Sequence, residues 1–197
     1  MENLERILPK KREGIDRFCN GSRPLTFSLL DFWQWGFSNI VDNTTRGILA
    51  EFLVSRAVGC QPEVREEWAA YDLISPEGVT IEVKSAAYLQ SWQQKRPSNI
   101  IFNCPKTHGW DSDTNQLSSE LRRQAKVYVF AVLAHQSKMT LNPLDVSQWE
   151  FYVVPTVWLD QRVRSQHSIT LASLRKLVGG PIDFSQLKDA VLSAAAE

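Results

Sequence analysis

The sequence predicts an α/β protein in which a mixed central β-sheet is flanked by α-helices. Residues 127–134 (VYVFAVLA) form an unbroken apolar run, which is typical of a central strand covered on both faces. Residues 79–85 (VTIEVKS) alternate apolar and polar side chains, as a strand with one buried face does. Helical patterns precede and follow these segments, so we expect helices on both sides of the sheet and a helical C-terminal end.

Length and composition indicate a single folded domain over residues 1–197. The chain is 43% hydrophobic, and its 22 Lys and Arg balance its 22 Asp and Glu, so total charge favours no class of partner. We divide the domain into a helical lead-in (1–43), a core (44–135) and a C-terminal part with a strand and helices (136–197).

Targeting and redox signals are absent from the sequence. The first residues, MENLERILPKKREG, do not resemble a signal peptide, and no run of about 18 apolar residues is present, so we expect no membrane association and a cytoplasmic protein. Cys19, Cys60 and Cys104 form no CxxC pair, and we interpret them as reduced thiols in the core.

Two helices are predicted before the first strand of the sheet. The first lies within residues 26–37, where Ser28 and Asp31 have capping-box spacing. In that helix Trp33 and Phe37 share a face, and we expect core packing rather than base stacking. The second covers residues 44–58, with Asn43 as N-cap and Gly59 as its stop. Its predicted apolar stripe consists of Ile48, Leu49, Phe52 and Leu53.

A β-hairpin follows, with one strand ending at residues 72–74, a turn at 75–78 (SPEG) and a second strand at 79–85. Further strands are predicted at residues 99–103, 127–134 and 151–154. Further helices are predicted at residues 86–94, 117–125, 170–178 and 184–195.

The polar face of the second hairpin strand carries Glu82 and Lys84. Alternation alone does not distinguish an exposed ion pair from the lining of a cleft. Asp72 lies on the preceding strand, however, and Glu51 lies beside the apolar stripe of the upstream helix. We therefore expect these four charged groups to converge.

Clustered carboxylates suit Mg²⁺ or Mn²⁺, which prefer oxygen ligands and leave positions for water and phosphate. Such an ion activates a bound water and polarises a phosphoryl oxygen. Lys84, two residues from an acidic ligand and on the same face, would steer the water or offset developing charge.

Glu51, Asp72 and the triplet Glu82-Val83-Lys84, on a helix and two hairpin strands in that order, resemble the PD-(D/E)XK nuclease superfamily. The resemblance covers residues 44–135 and implies a restriction-endonuclease-like fold. It implies that Asp72, Glu82 and the backbone carbonyl of Val83 bind the metal, that Lys84 positions the water, and that Glu51 is an accessory ligand. Tyr71 stands where many members have proline.

Local charge indicates where a phosphodiester backbone would bind. Residues 51–82 contain seven acids and two bases, whereas residues 84–126 contain seven bases and three acids. Within the second block, we assign Lys95 and Arg96 to the backbone and Gln90 and Ser85 to the edge of the site. An amphipathic helix with solvated charges explains the segment around them equally well.

These residues predict a Mg²⁺-dependent endonuclease that hydrolyses DNA through a metal-activated water. The alternatives are a catalytically inactive nuclease-like module for nucleic-acid binding or assembly, an RNA-directed nuclease, and an unrelated protein with a polar surface hairpin. One active site cuts one strand, so we expect a homodimer or a larger complex if both strands of a duplex are cut. No GxxxxGK, GxSxG or GxGxxG motif is present to indicate another chemistry.

Overall fold

The protein, seen in a computed structural model, is described at residues 7–60, 64–66, 69–111, 116–162 and 167–197. The helices are α1 (Leu29–Phe37), α2 (Asn43–Val58), α3 (Thr156–Arg162), α4 (Leu171–Val178) and α5 (Leu187–Ala195). The strands are β1 (Arg17–Asn20), β2 (Arg23–Ser28), β3 (Leu73–Ile74), β4 (Thr80–Ala87), β5 (Ile101–Asn103), β6 (Thr107–Asp111), β7 (Gln116–Arg122), β8 (Val127–Leu133), β9 (Trp149–Pro155) and β10 (Ser168–Thr170).

The main sheet has four strands in the order β3-β4-β8-β9. β4 and β8 are parallel, with Glu82 opposite Tyr128 and Lys84 opposite Phe130. The outer pairs, β3 with β4 and β8 with β9, are antiparallel. The sheet is therefore mixed and flanked by helices, which confirms the predicted α/β class.

β8 is the central strand, and all seven of its residues are buried. Val127, Val129, Ala131 and Leu133 belong to one apolar cluster, which α2 and α5 cover. The alternate residues Tyr128, Phe130 and Val132 belong to a second cluster, which α3, α4 and β5 cover. An apolar residue at every position is what a strand between two covered faces requires, so the prediction for this segment is confirmed.

α2 begins and packs slightly differently from the prediction. Its N-cap is Asp42, not Asn43, because the Asp42 carboxylate accepts hydrogen bonds from the Thr44 and Thr45 amides. Gly59 ends the helix as expected, at φ 81°. The helix buries Ala50, Leu53, Val54 and Val58, whereas Phe52 is 50% exposed. The helix therefore turns the small residue Ala50 toward the sheet and leaves Phe52 outside, which corrects the predicted stripe.

Two predicted helices are wrong. Residues 86–94 do not form a helix, because β4 continues to Ala87 alongside β8 and the chain then turns through bends. Residues 117–125 also do not form a helix, because Gln116–Arg122 is strand β7, paired with β6 in a hairpin. In both places, long-range or hairpin pairing overrides a local helical pattern.

Within the described part of the lead-in predicted to be helical (1–43), a β-hairpin, β1–β2, precedes α1. The capping box between Ser28 and Asp31 is present. None of the residues of α1 is buried, however, and Trp33 and Phe37 remain 37% and 43% exposed. The expectation of core packing for these aromatics is therefore wrong. Cys60 and Cys104 are buried thiols as expected, whereas Cys19 on β1 is exposed.

Within the described ranges, no helix has the length and apolar character needed to cross a bilayer.

Candidate active site

The site is built on the β3–β4 hairpin, whose turn is held by Ser75 and Gly78. The buried Ser75 hydroxyl accepts hydrogen bonds from the amides of Glu77 and Val79, at 3.2 Å each. Gly78 donates to the Ser75 carbonyl at 2.9 Å and adopts φ 81°, a left-handed conformation that glycine reaches without strain. This turn fixes the register in which the two strands meet.

That register brings Asp72 beside Glu82. Leu73 pairs with Ile81, and the Asp72 amide donates to the Ile81 carbonyl at 3.1 Å, next to Glu82 along β4. The Asp72 Oδ2 atom accepts a hydrogen bond from the Val83 amide at 2.7 Å. Since the N–H and C=O of one strand residue point to the same side, the Val83 carbonyl also faces the edge that carries Asp72.

Lys84 lies on the face of β4 that carries Glu82. Its Nζ donates to Glu82 Oε1 at 2.5 Å, and both side chains are largely covered, at 31% and 18% exposure. The opposite face of β4 buries Val79, Ile81 and Val83 in the cluster under α2. The predicted alternation of this strand is therefore confirmed, and Glu82 and Lys84 form a partly buried pair rather than a solvated one.

Glu51 reaches the same region from α2, but an arginine holds it. Arg65 donates to both carboxylate oxygens of Glu51, at 2.5 and 3.0 Å. The Glu51 side chain is only 13% exposed. A two-point contact of this kind is among the stronger ion pairs, so Glu51 is engaged before any ligand arrives.

The electrostatics show that the four charged groups act on one another. Burial, then the charge of Glu82, raises the pKa of Asp72 to about 7, and Glu51 adds to this rise. Burial lowers the pKa of Lys84, but the charges of Glu82, Asp72 and Glu51 outweigh it and hold that pKa above its usual value. The site therefore has an excess of negative charge, and Lys84 is protonated at neutral pH.

The residues present fit a hard divalent cation. Asp72, Glu82 and the Val83 carbonyl offer oxygen atoms only, which is the donor set of Mg²⁺ and Mn²⁺. Burial and the neighbouring acids raise the pKa of Asp72 more than the Val83 amide and Lys84 lower it. Among the described side chains, no three His, Cys, Asp or Glu already converge as a metal-binding group. Glu51 and Glu82 are instead paired with Arg65 and Lys84.

Behind the site, a buried arginine connects α2 to the end of β4. Arg46 is 4% exposed and donates to Ser85 Oγ at 3.3 Å and to Asn43 Oδ1 at 2.8 Å. It also contacts Gln90 Oε1 at 3.5 Å, and Gln90 donates to the Ala87 carbonyl at 3.0 Å. Ser85 and Gln90 are thus close to each other, but the Gln90 side chain is engaged within the protein.

Lys95 and Arg96 are both exposed, in the loop that follows β4. The Gln94 side chain holds this loop through the Tyr88 carbonyl and Ser98 Oγ, at 3.2 and 3.1 Å. Of the charged residues in the acidic and basic blocks, Glu63, Glu67 and Asp113 lie outside the described residues.

Sequence reasoning missed three residues near the site. The sequence around Arg65 does not indicate its pairing with Glu51, because that pairing depends on the path of the chain after α2. Arg46 lies on α2 like an ordinary solvated arginine, and only the packing of α2 on β4 buries it. Tyr128 lies near the site because the parallel pairing of β4 with β8 places it opposite Glu82. Burial, then the charge of Glu82, raises its pKa.

Comparison with known proteins identifies the family. The family model described as bacteriophage T4 endonuclease IV matches residues 35–170, more than half of the chain. The matched region contains α2, the β3–β4 hairpin and the rest of the main sheet. No curated protein matches this sequence. The chain belongs to the bacteriophage T4 endonuclease IV family and is a nuclease.

Proposed function

We propose that this protein is a Mg²⁺-dependent endonuclease of the PD-(D/E)XK type that hydrolyses phosphodiester bonds of DNA, with Mn²⁺ as the alternative ion. The observation that carries the proposal is the group of charged side chains at β4, where Asp72 accepts from the Val83 amide and Lys84 pairs with Glu82. Membership of an endonuclease family supports the same activity independently. Carboxylates whose pKa is raised in this way, here to about 7 for Asp72, are concentrated at functional sites.

In the proposed site, Asp72, Glu82 and the Val83 carbonyl hold the metal ion, and Glu51 is an accessory ligand once Arg65 releases it. When bound, the ion would lower the pKa of a water molecule and offset charge on the phosphate. The Asp72 carboxylate is already oriented by the Val83 amide, so it needs little rearrangement to present its other oxygen.

Lys84 acts as a cation in this scheme. Because its pKa lies above the usual value, it is protonated at neutral pH and does not remove a proton from water. It orients the attacking water by donating a hydrogen bond, and it stabilises negative charge that grows on the phosphate oxygens. Its contact with Glu82 keeps the ammonium beside the reacting atoms.

The substrate is held outside this site. We assign Lys95 and Arg96, both exposed after β4, to the phosphate backbone. Ser85 and Gln90, which lie between Lys84 and Lys95 in the sequence, are assigned to the edge of the site. Contacts to phosphates predict binding that weakens with added salt.

The test compares the wild type with Asp72→Ala and Lys84→Ala on labelled single-stranded DNA, duplex DNA and RNA, each with Mg²⁺, Mn²⁺ or EDTA. We expect cleavage of DNA that EDTA abolishes, and a fall of about 100-fold or more in either variant. The matched control is Lys188→Ala, which removes the exposed partner of Glu77 at the turn of the same hairpin, 3.5 Å away. It should retain wild-type cleavage.

Other outcomes separate the alternatives. Cleavage that persists in EDTA, or in both variants, would remove the metal mechanism. Binding of DNA without cleavage in any ion would identify an inactive nuclease-like module. Cleavage of RNA but not DNA would keep the site and change the substrate.

A further inference from the structure

The N-terminal arm, defined as residues 14–37, contains β1, β2 and α1 and has a structure of its own. The Leu29 and Leu30 amides donate to the carbonyls of Asp16 and Gly14 at 2.8 and 2.9 Å. Phe18 and Phe27 pack across the hairpin with ring centroids 5.0 Å apart. A side chain at Gly14 would meet Leu30 Cβ at 3.3 Å, so helix and hairpin approach closely. The arm is therefore a folded element.

This folded element is apolar but uncovered. Within the described part of the chain, neither β1, β2 nor α1 packs extensively on the main sheet or its helices. The sequence of α1, LLDFWQWGF, is apolar on nearly all sides, and such helices occur where protein surrounds them. None of its residues is buried here. The exposed aromatic side chains of the arm are Phe18 39%, Phe27 46%, Phe32 43%, Trp33 37%, Trp35 85% and Phe37 43%.

The uncovered area is what a stable dimer needs. At roughly 200 Å² for each aromatic side chain, the six exposed fractions amount to roughly 600 Å². Ile15 and Leu30, 78% and 47% exposed, increase this area. A standard interface buries roughly 800 Å² on each partner, with aromatics enriched at its centre. Monomeric proteins rarely leave such a surface in water.

The charge of the arm favours a protein partner over nucleic acid. Residues 14–37 contain two arginines and two aspartates, and Asp31 is used by the capping box. A surface that follows a phosphate backbone carries a clear excess of bases. The basic residues 10–12 directly before the arm are the feature that would favour nucleic acid instead.

We propose that the N-terminal arm is a dimerisation element that packs against the arm of a second copy of this chain. A surface that must always be covered requires a partner that is always present, and an identical chain satisfies this condition. Closed twofold dimers are also the commonest soluble assembly. Most of the arm, residues 14–34, precedes the region matched by the family model. This inference does not depend on the proposed function.

The test is sedimentation velocity of the full chain in EDTA over a range of concentrations. We expect a species of twice the 22.5 kDa chain mass. Replacing two exposed residues of α1, in the double variant Trp35→Ser with Phe37→Ser, should weaken the dimer at least tenfold. The matched control Trp92→Ser, which replaces a 54% exposed tryptophan outside the arm, should leave association unchanged. Circular dichroism verifies that each variant folds.

The single variant Phe18→Ser on the hairpin is the second probe, in case the double variant does not fold; it should also weaken the dimer. A wild type that stays at 22.5 kDa at all concentrations overturns the proposal, as does a dimer that neither arm variant affects. A monomer whose tryptophan fluorescence changes with an added oligonucleotide, in the wild type but not in the double variant, would also overturn it and assign the arm to nucleic acid.

Discussion

Asp72 and Lys84 show how much of this site depends on single side chains. Asp72 is held by the Val83 amide, yet burial and the charges of Glu82 and Glu51 raise its pKa to about 7. Lys84 offsets part of this charge, since its proximity lowers the same pKa. Three acids against one lysine leave the site short of positive charge, which is the condition that a bound cation would relieve.

Arg65 supplies part of the missing positive charge through Glu51. Its two contacts with the Glu51 carboxylate compete with any metal that would use the same oxygens. Arg65 therefore offsets repulsion among the acids of the site and competes with a metal ion for Glu51.

Replacing Arg65 with alanine should therefore tighten the binding of Mg²⁺. We expect the dissociation constant to fall about two- to fivefold, because a partly exposed ion pair is worth ~0.4–1 kcal/mol. Isothermal titration calorimetry measures this constant directly. The matched control is Arg56→Ala, because Arg56 lies on α2 beside Glu51 but stacks on Phe52, 4.9 Å from the ring centroid. Binding that is unchanged or weaker in Arg65→Ala would exclude Glu51 as a ligand that Arg65 restrains.

Among the elements, the β3–β4 hairpin positions the site, and Ser75 holds its turn. Its hydroxyl accepts from two turn amides, and the residue is 4% exposed. An amide that loses its partner inside the protein is costly, and no water replaces the hydroxyl easily.

Ser75→Ala should lower the free energy of unfolding by about 1–3 kcal/mol and loosen the register between Asp72 and Glu82. Urea denaturation measures the first effect, and the rate of DNA cleavage at saturating Mg²⁺ measures the second. Ser147→Ala is the control, since that serine is exposed and its hydroxyl bonds Asp145 at 2.6 Å in a surface turn. An equal effect of both substitutions would show that the Ser75 turn has no special role.

The same hairpin shows what the sequence could predict. Its alternation and its SPEG turn are local, and each appears in the structure as expected. β7 could not be predicted, because Gln116–Arg122 is exposed on every residue and shows no period of two. Its partner β6 decides its conformation. The pairing of Arg65 with Glu51 could not be predicted either, because it joins residues on different elements.

The prediction of core packing for the N-terminal arm was wrong for a different reason. The aromatic run in α1 predicts burial because the transfer of aromatic side chains out of water is favourable. Within the described ranges of one chain, no residue of α1 is buried. Reasoning about one chain assigns every apolar residue to one core, so it cannot identify a surface that a second molecule covers.

At the scale of the whole molecule, the site depends on two cores that share one sheet. β4 presents Glu82 and Lys84 on one face and Ile81 and Val83 on the other, and the second pair belongs to the cluster that α2 and α5 cover. α5 lies at the far end of the sequence, yet it packs on β8 and β9. The strand that carries the charged residues is therefore covered by α2, while α5 supports α2 and the neighbouring strands β8 and β9.

Leu187→Ala in α5 tests this dependence. Leu187 is fully buried in the cluster behind β4, and removing such a side chain should lower the free energy of unfolding by about 2–5 kcal/mol. Leu144→Ala is the control, because Leu144 is 68% exposed and its loss should change stability by less than about 0.5 kcal/mol. Thermal unfolding measures both. Well below the midpoint, cleavage per folded molecule should match the wild type, because α5 packs on β8, β9 and α2 rather than on the face of β4 that carries the charged groups. A variant that stays stable but loses cleavage would show that α5 acts on the site itself rather than on the core that supports it.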